Sequence, residues 1–413
     1  MSDNYFRGDA VPVQEVKTLT VGGTPAAAQV YTATINTHTV AYTAIGADTN
    51  ITIAVALQLL LSATATAPVE FDEGSWAVPT TAVITVTANT AGVPFTVTSS
   101  ATGTGTLVTA TTVNATGPAW WSEPKNWSLG AIPVNGDNVY LRRSAQDILY
   151  GIDQNAVTLA LLDIDGSYTG KIGLPDFNPL GYAEYRETFL KIGATTCYVG
   201  RGNFTGPGRF RWNAGIVQTA LNVYGTGTPD ADAPGAVDFV GTHASNALLV
   251  QRGTVSVALK PSVASTILTA TIGSKDNPTN DATVFFGYTA TLGTLNMAGG
   301  TINVWNGLTT ANIRAGTLTC SLGAYTTINN ENGTVNYDTG GTLGTYTGGT
   351  SSLLDCSRIA RARTITTAVF EPTSSFRDPS KTVTFGGSGA FIRCGLDELK
   401  EFNVGEQFYF QRL

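Results

Sequence analysis

Asp163 and Asp165 are the residues of this chain whose type and spacing come closest to a catalytic arrangement. They alternate along one apolar run, so on a strand they would share a face and lie about 7 Å apart. A glycoside hydrolase needs two carboxyl groups roughly 5–10 Å apart. The same residues belong to the run LDIDGS, however, in which the Asp-Gly step is a common start of a turn. We therefore favour a structural role for both aspartates over a hydrolytic one.

The other candidate groups are weaker. Asp230 and Asp232 in TPDADAPG would suit a loose calcium loop, but no EF-hand spacing follows them. His243 has no acid or nucleophile motif beside it, and His38 falls in a predicted hairpin turn. The chain has no GxSxG, HExxH or phosphate-binding motif. We predict a protein that is not an enzyme and that needs no metal or cofactor.

Composition indicates which elements must position these residues. The chain has 413 residues, a formal net charge of -7 and 46 glycines, and only 13% of its residues are charged. Thr, Ala and Gly dominate at the expense of strong helix formers other than Ala, which is typical of an all-β protein. The acidic balance offers no basic stripe for phosphates, so we predict no nucleic-acid partner. No apolar run is long enough to span a bilayer, and the first residues have no signal-peptide core.

The four cysteines are too far apart for a metal site, and we predict buried, reduced thiols. They are Cys197, Cys320, Cys356 and Cys394.

A repeat between residues 293 and 346 defines the main architecture. Gly-Thr followed by a short alternating apolar run begins at residues 300, 316 and 333, at intervals of 16 and 17 residues. Alternation with period 2 predicts strands with one buried face, and a repeat of this length suits the coils of a β-solenoid. Leu318 and Cys320, and then Val335 and Tyr337, are the predicted inward pairs. Looser strands of the same kind begin near residue 138, so we predict a parallel β-helix over residues 138–390.

The first third of the chain predicts a different unit. Residues 1–14 have no core pattern and read as an extended arm that a neighbouring subunit could hold. Residues 15–110 alternate as short strands around one helix at 51–61, which the residues Gly46–Thr49 would cap. The fold class is therefore mainly β, with a small α+β N-terminal module followed by a parallel β-helix.

Two stretches of this module resemble a known family pattern. INTHTVAYTAIGADTNITIAVALQLLL and ITVTANTAGVPFTVTSSA are similar to a small module of bacteriophage virion proteins, including decoration and tail components. The resemblance covers about 90 residues and implies no catalytic role. The stretch 165–175 with residues 190–193 also resembles uncharacterised phage-associated solenoid proteins, and this likeness names no activity.

Residues 111–137 form a junction rich in tryptophan. The run from Trp120-Trp121 through Asn126-Trp127-Ser128 resembles the opening segment of many β-solenoid surface proteins. That resemblance implies a cap over the first coil, whose open end needs a lid. The alternative interpretation is a platform on which Trp120, Trp121 and Trp127 stack against sugars.

The C-terminal segment, residues 391–413, predicts a cap or a contact segment. Three consecutive aromatics near the end of the sequence would cap the last coil or bind another subunit or a shell. The residues that we predict to contact partners are Phe6, Arg7, Trp120, Trp121, Trp127, Phe408, Tyr409 and Phe410.

Taken with the resemblance, these features indicate a non-enzymatic phage virion structural protein. We expect a capsid decoration or cement protein, present as a homotrimer on the capsid surface after assembly in the host cytoplasm. Its expected partners are the major capsid protein and itself, without nucleic acid or membrane. The alternative is a tail fibre or tailspike that recognises host surface polysaccharide. A bacterial adhesin is a third hypothesis, disfavoured by the missing secretion signal.

Overall fold

The computed structural model describes residues 2–63, 67–202, 205–260, 262–273 and 281–392, with side chains as far as residue 386. Within these ranges the chain is mainly β, as predicted, and forms a small antiparallel module followed by a long parallel β-helix. The predicted C-terminal contacts Phe408, Tyr409 and Phe410, and also Cys394, lie outside the described residues.

In its described residues the N-terminal module has seven strands, one α-helix and one short 3-10 helix, Val69–Glu73. Its strands and α-helix are β2 (Val16–Gly23), β3 (Val30–Ile35), β4 (His38–Thr43), α1 (Asn50–Leu61), β5 (Gly74–Ala77), β6 (Val83–Ala88), β7 (Val97–Ala101) and β8 (Gly105–Val113). Strands β5, β6, β2 and β8 form one antiparallel sheet in that order, and β4, β3 and β7 form another. The hairpin and the helix lie where the sequence predicts them, while β5 and β8 are additional strands.

Helix α1 begins where its capping residues require. The Thr49 hydroxyl accepts a hydrogen bond from the Thr52 backbone N–H, and the Thr52 hydroxyl accepts one from the Thr49 N–H. This reciprocal pair satisfies two of the amides that a helix start leaves without partners. One face of α1, including Ile53 and Leu57, is buried in the core of the module.

The β-helix is built from two ladders of parallel strands. The first contains β9 (Asn138–Leu141), β10 (Asp153–Asp165), β11 (Leu190–Arg201), β13 (Ala220–Val223), β15 (Ala247–Val250), β17 (Ser265–Ile272), β19 (Ala290–Met297), β21 (Leu308–Ile313), β23 (Tyr325–Asn330), β25 (Leu343–Gly348), β27 (Arg363–Phe370) and β29 (Val383–Ile392). The second contains β12 (Phe210–Asn213), β14 (Val237–Val240), β16 (Gly253–Val257), β18 (Ala282–Phe286), β20 (Thr301–Val304), β22 (Thr317–Cys320), β24 (Thr334–Tyr337), β26 (Leu353–Asp355) and β28 (Ser375–Arg377).

The repeat in the sequence is the repeat of the coils. Thr301 pairs with Thr317, and Thr317 pairs with Thr334, so successive coils have 16 and 17 residues. Before residue 290 the coils are longer, as in the pairing of Leu161 with Thr196. The predicted inward residues Leu318, Cys320, Val335 and Tyr337 are all buried in one continuous core.

Longer strands of the first ladder turn a corner of the coil. In β17 and β19 the alternation of buried residues breaks in the middle, and the register skips Leu268 and Gly293. A Cβ on Gly293 would lie 2.6 Å from the carbonyl oxygen of Leu268. Only glycine allows the next coil to stack so closely at this corner.

The N-terminal arm is bound to its own chain. Strand β1 (Asp3–Tyr5) adds in parallel to β9, the first strand of the β-helix. Beyond it, the Asn126 side-chain oxygen accepts a hydrogen bond from Ala10 N, and Thr116 O accepts one from Val13 N. The chain itself therefore holds the arm, for which the sequence also allowed a neighbouring subunit.

Candidate contact surface

The tryptophans of the junction are packed over the first coil. Trp121, Trp127 and Phe6 are buried in the same core cluster as Val139 and Leu141 of β9. The two indole rings meet edge to face at 4.8 Å, and Trp127 Nε1 donates a hydrogen bond of 2.7 Å to Trp121 O. Such a lid covers apolar core that an open solenoid end would expose.

Only part of the predicted contact set reaches the surface. The rings of Phe6, Trp121 and Trp127 are covered by their own chain, so a sugar could not stack on them in this conformation. Trp120 is partly exposed and donates a hydrogen bond from Nε1 to Gly92 O at 2.7 Å. Arg7 is exposed. Of the predicted residues that the structure describes, Arg7 and Trp120 remain available to a partner.

Asp163 and Asp165 are both engaged in internal contacts. The buried Asp163 carboxylate accepts hydrogen bonds from Arg142 Nη2 at 2.9 Å and Arg201 Nη2 at 2.5 Å. Asp165 accepts hydrogen bonds from the backbone and hydroxyl of Ser167, which form the turn predicted from the Asp-Gly step. Burial acts to raise the pKa of Asp165, but these hydrogen bonds and the nearby arginines hold that pKa below its ordinary value. A general acid needs the opposite shift.

Asp230 and Asp232 are salt-bridged to basic residues. Asp230 lies 2.6 Å from Arg209 Nη1 and 2.9 Å from Lys171 Nζ, and Asp232 lies 2.8 Å from Arg211 Nη2. Within the described ranges no group of three or more acidic, histidine or cysteine side chains has the geometry of a metal site.

A set of charged residues that no sequence motif marks lies on the flank of the second ladder, and we call it the flank cluster. Its members range from fully buried to partly exposed. Arg211 lies at its centre, with Nη1 2.6 Å from Asp176 Oδ1 and Nη2 2.8 Å from Asp232 Oδ2. Lys260 Nζ lies 2.5 Å from the same Asp176 oxygen. Asp238 completes the flank cluster, and its only signal in the sequence is one acid inside the apolar strand VDFV.

Burial controls the protonation of Asp238. Burial raises its pKa to about 6, although Arg211 and Lys260 pull that pKa down. The Oδ1 atom of Asp238 is buried without a hydrogen-bond partner, as are Nε of Arg211 and the hydroxyl of Ser256 on the next coil. Arg211 itself is almost completely covered. Its salt bridges to Asp176 and Asp232 join the segments around residues 176 and 232 to the coils.

Glu73 joins the module to the β-helix. Its carboxylate accepts hydrogen bonds from Tyr185 at 2.9 Å and Asn178 at 3.2 Å, both on the β-helix side, as well as from the Tyr182 hydroxyl. Asn36 of the module donates a fourth hydrogen bond, at 2.8 Å. Burial raises the pKa values of both tyrosines, and Glu73 raises them further, so both hydroxyls keep the protons that they donate.

Arg186 reinforces the same contact between the module and the β-helix. Its Nη1 donates to Pro94 O of the module at 2.9 Å, and its Nε donates to Glu184 at 2.7 Å. The guanidinium also lies over the rings of Tyr150 and Tyr185, at 5.3 and 5.1 Å from their centroids. Long segments of the β-helix thus serve to fix the module in place.

A polar groove of about 430 Å³ runs across the regular coils. Its floor carries Asn296, Asn312 and Asn329 at equivalent positions of successive coils. The amide of Asn312 donates to Asn296 Oδ1 at 2.9 Å, and the amide of Asn329 donates to Asn312 Oδ1 at 2.9 Å. Exposed Arg314 and Glu331 form the rim. The side-chain amides and the two charged groups of this groove can hydrogen-bond a hydroxylated ligand.

Helix α1 presents an apolar face to solvent. Ile51, Val55, Leu59 and Leu60 are 47%, 39%, 66% and 40% exposed, respectively. The only long polar side chain in the helix after Asn50 is Gln58, which is buried and donates to Ser62 Oγ and Trp76 O. No helix in the described parts of the chain has the length and apolar character required to cross a bilayer.

Comparison with known proteins gives no family assignment. No protein-family model matches the chain, and a search of curated proteins found no match.

Proposed function

We propose that this chain is a non-enzymatic phage virion structural protein, most specifically a capsid decoration or cement protein. The observation that carries the proposal is a stiff β-helix fixed to a small module whose helix exposes an uncharged apolar face. A long rigid body gives reach, and an apolar face gives a surface to bury against another protein. The resemblance of the module to phage virion proteins is what directs the proposal to a virion.

Within the part of the chain that the structure describes, the candidate aspartates and cysteines do not assemble into a reaction centre, which supports a structural role. Asp163, Asp230 and Asp232 form salt bridges with arginine or lysine side chains. Asp165 accepts a hydrogen bond within its own turn. The three described cysteines are buried without disulfides, and burial raises the pKa of Cys356 to about 12. A thiol with such a pKa is a poor nucleophile.

In this proposal the protein acts by burying surface between subunits. The module and arm would bind the head shell together with other copies of the chain, as a homotrimer. Stabilisation would follow from mass action, since a ligand that binds only the assembled shell shifts its equilibrium away from disassembly. The major capsid protein would be the partner, on the outer capsid surface.

The test is the position of the chain in a map of the virion. Density for the β-helix at lattice sites of the head is the expected result, and density only at the tail tip would overturn the proposal. A second measurement compares heads with and without the protein. Heads that lack it should release DNA at a lower temperature and regain stability when purified protein is added back.

The groove favours a second candidate, a receptor-binding fibre that recognises host surface polysaccharide. Coils of a parallel β-helix repeat every 4.7–4.9 Å or so, and Asn296, Asn312 and Asn329 would meet a hydroxylated chain at that interval. A glycan array and a reducing-end assay on host polysaccharide separate the two candidates. Binding that is lost in Asn312→Ala would favour the receptor function, whereas a protein that binds no glycan would favour the capsid function.

A further inference from the structure

Two irregular segments, residues 174–187 and 225–235, cover the flank cluster. Residues 226–235 have the sequence TGTPDADAPG, which contains no large apolar side chain. In the other segment, Phe177 and Leu180 are 62% and 47% exposed. Apolar burial therefore contributes little at these positions, and ion pairs supply much of the contact between the two segments and the coils.

A single buried arginine connects both segments to the coils. Arg211, on β12, lies 2.6 Å from Asp176 of the first segment and 2.8 Å from Asp232 of the second. The segments also contact each other, because Asp176 N donates a hydrogen bond of 2.9 Å to Asp232 Oδ2. Lys260 is the second cation that contacts Asp176. The closed arrangement therefore depends on the charges of a few groups.

Asp238 lies next to these ion pairs. It is the neighbour of Arg211 in the second ladder, and its Oδ1 atom is buried without a hydrogen-bond partner. The charged groups that interact with it are Arg211, Lys260, Asp176 and Asp232, while Asp230 is paired separately with Arg209 and Lys171. When Asp238 is ionised, three carboxylates share two cations. Burial and like charges both favour a neutral carboxyl group, so one of the three should retain a proton.

Asp238 is the carboxyl group that retains it. Burial acts to raise the pKa of Asp176, but hydrogen bonds from Lys260 and Arg211 hold that pKa below its ordinary value. Burial raises the pKa of Asp238 to about 6. Water reaches Asp238 only when the covering segments move away, and its pKa then returns towards the ordinary value of 3.8. Loss of the proton therefore favours the open arrangement.

We propose that the flank cluster is a pH switch, which holds residues 174–187 and 225–235 on the coils while Asp238 is protonated and releases them when it ionises. The first segment also carries Tyr182 and Tyr185, whose hydroxyls donate to Glu73 of the module. Release of this segment therefore loosens the contact between the module and the β-helix as well. This regulation goes beyond the proposed function and does not depend on it.

The test is hydrogen exchange of the purified full chain at several pH values between 4 and 7.5, with each rate divided by the intrinsic exchange rate at that pH. The closed form binds the proton of Asp238 about 2 pH units more tightly than the open form. Opening of the two segments should therefore become more frequent on the order of 50-fold across this range. The 3-10 helix that ends at Glu73 should lose protection in parallel, whereas the coils after residue 290 should keep theirs.

Asp238→Asn is the decisive variant, because the amide has the shape of the protonated carboxyl group and cannot ionise. Its two segments should stay protected at every pH. Asp9→Asn changes an exposed carboxylate of the N-terminal arm and should respond to pH as the wild type does. Wild-type segments whose protection does not change with pH overturn the inference, as does an unaltered pH response in Asp238→Asn. An equal loss of protection in the coils after residue 290 reports global unfolding and also overturns it.

Discussion

Replacing Asp238 by Asn should make the protein more stable at neutral pH. The carboxyl group is only 5% exposed, on β14, and its Oδ1 atom has no hydrogen-bond partner. Burial raises its pKa from 3.8 to about 6, and Asp176 and Asp232 add to the increase while Arg211 and Lys260 oppose it. Ionisation of Asp238 therefore lowers the free energy of unfolding.

The size of that cost follows from the shift. The folded and unfolded pKa values differ by roughly 2 units, and each unit corresponds to about 1.4 kcal/mol. Because the folded pKa is the higher one, the native state binds the proton more tightly between pH 4 and 6. The free energy of unfolding should therefore fall as pH rises through this window, by about 3 kcal/mol in total, and be level on either side of it.

The assay is urea unfolding at several pH values between 4 and 7.5. Asn cannot ionise, so the Asp238→Asn variant should lack this part of the pH dependence and exceed the wild type by about 2–3 kcal/mol more at pH 7.5 than at pH 4. Any effect of the amide that is common to all pH values cancels in this comparison. Asp153→Asn serves as the control, because Asp153 is exposed and its salt bridge to Lys191 is long, at 3.5 Å. Its difference from the wild type should change little across the pH range. A difference between Asp238→Asn and wild type that stays constant across the range would refute the reasoning.

Three further substitutions test the coils of the β-helix and its contact with the N-terminal module. Gly316→Ala should destabilise the folded protein by about 2 kcal/mol or more, because φ is +94° and the new Cβ would lie 2.4 Å from Gly300 O. Gly130 has open space around it, so Gly130→Ala should destabilise the protein clearly less. Thermal melts measure both variants. Asn312→Ala removes two amide hydrogen bonds and should cost about 1–2 kcal/mol, and an unchanged melting temperature would contradict a stabilising ladder. Glu73→Ala should increase hydrogen exchange across residues 174–187 without changing exchange in the coils after 290. If the variant and the wild type exchange equally at 174–187, the Glu73 carboxylate does not stabilise the contact between the module and the β-helix.

The regular part of the fold was predictable because its information is local. A strand with period-2 alternation shows which side chains point inward, and a fixed interval between Gly-Thr steps shows that one coil stacks on the next. Leu318, Cys320, Val335 and Tyr337 are buried as that pattern predicts. The helix start at Thr49 was also predictable, since a cap depends only on neighbouring residues.

No sequence pattern predicts the contacts between distant segments. Glu73 meets Tyr182 across 109 residues, and Asp176 meets Lys260 across 84. Neither pair has a spacing rule, because each depends on how irregular segments fold back onto the coils. For the same reason, the junction tryptophans could be read either as a cap or as a sugar platform until the burial of Trp121 and Trp127 was known.

The sequence by itself determined the class of architecture, the inward residues of the coils and the position of the helix, because periodicity and capping act over a few residues. Only the tertiary structure decided which charges are buried and which apolar face is exposed. Helix α1 shows the reason. Its sequence is apolar on every side, so no pattern distinguishes the face that packs on the module from the face that carries Val55 and Leu59. That distinction is made by the sheets against which the helix packs.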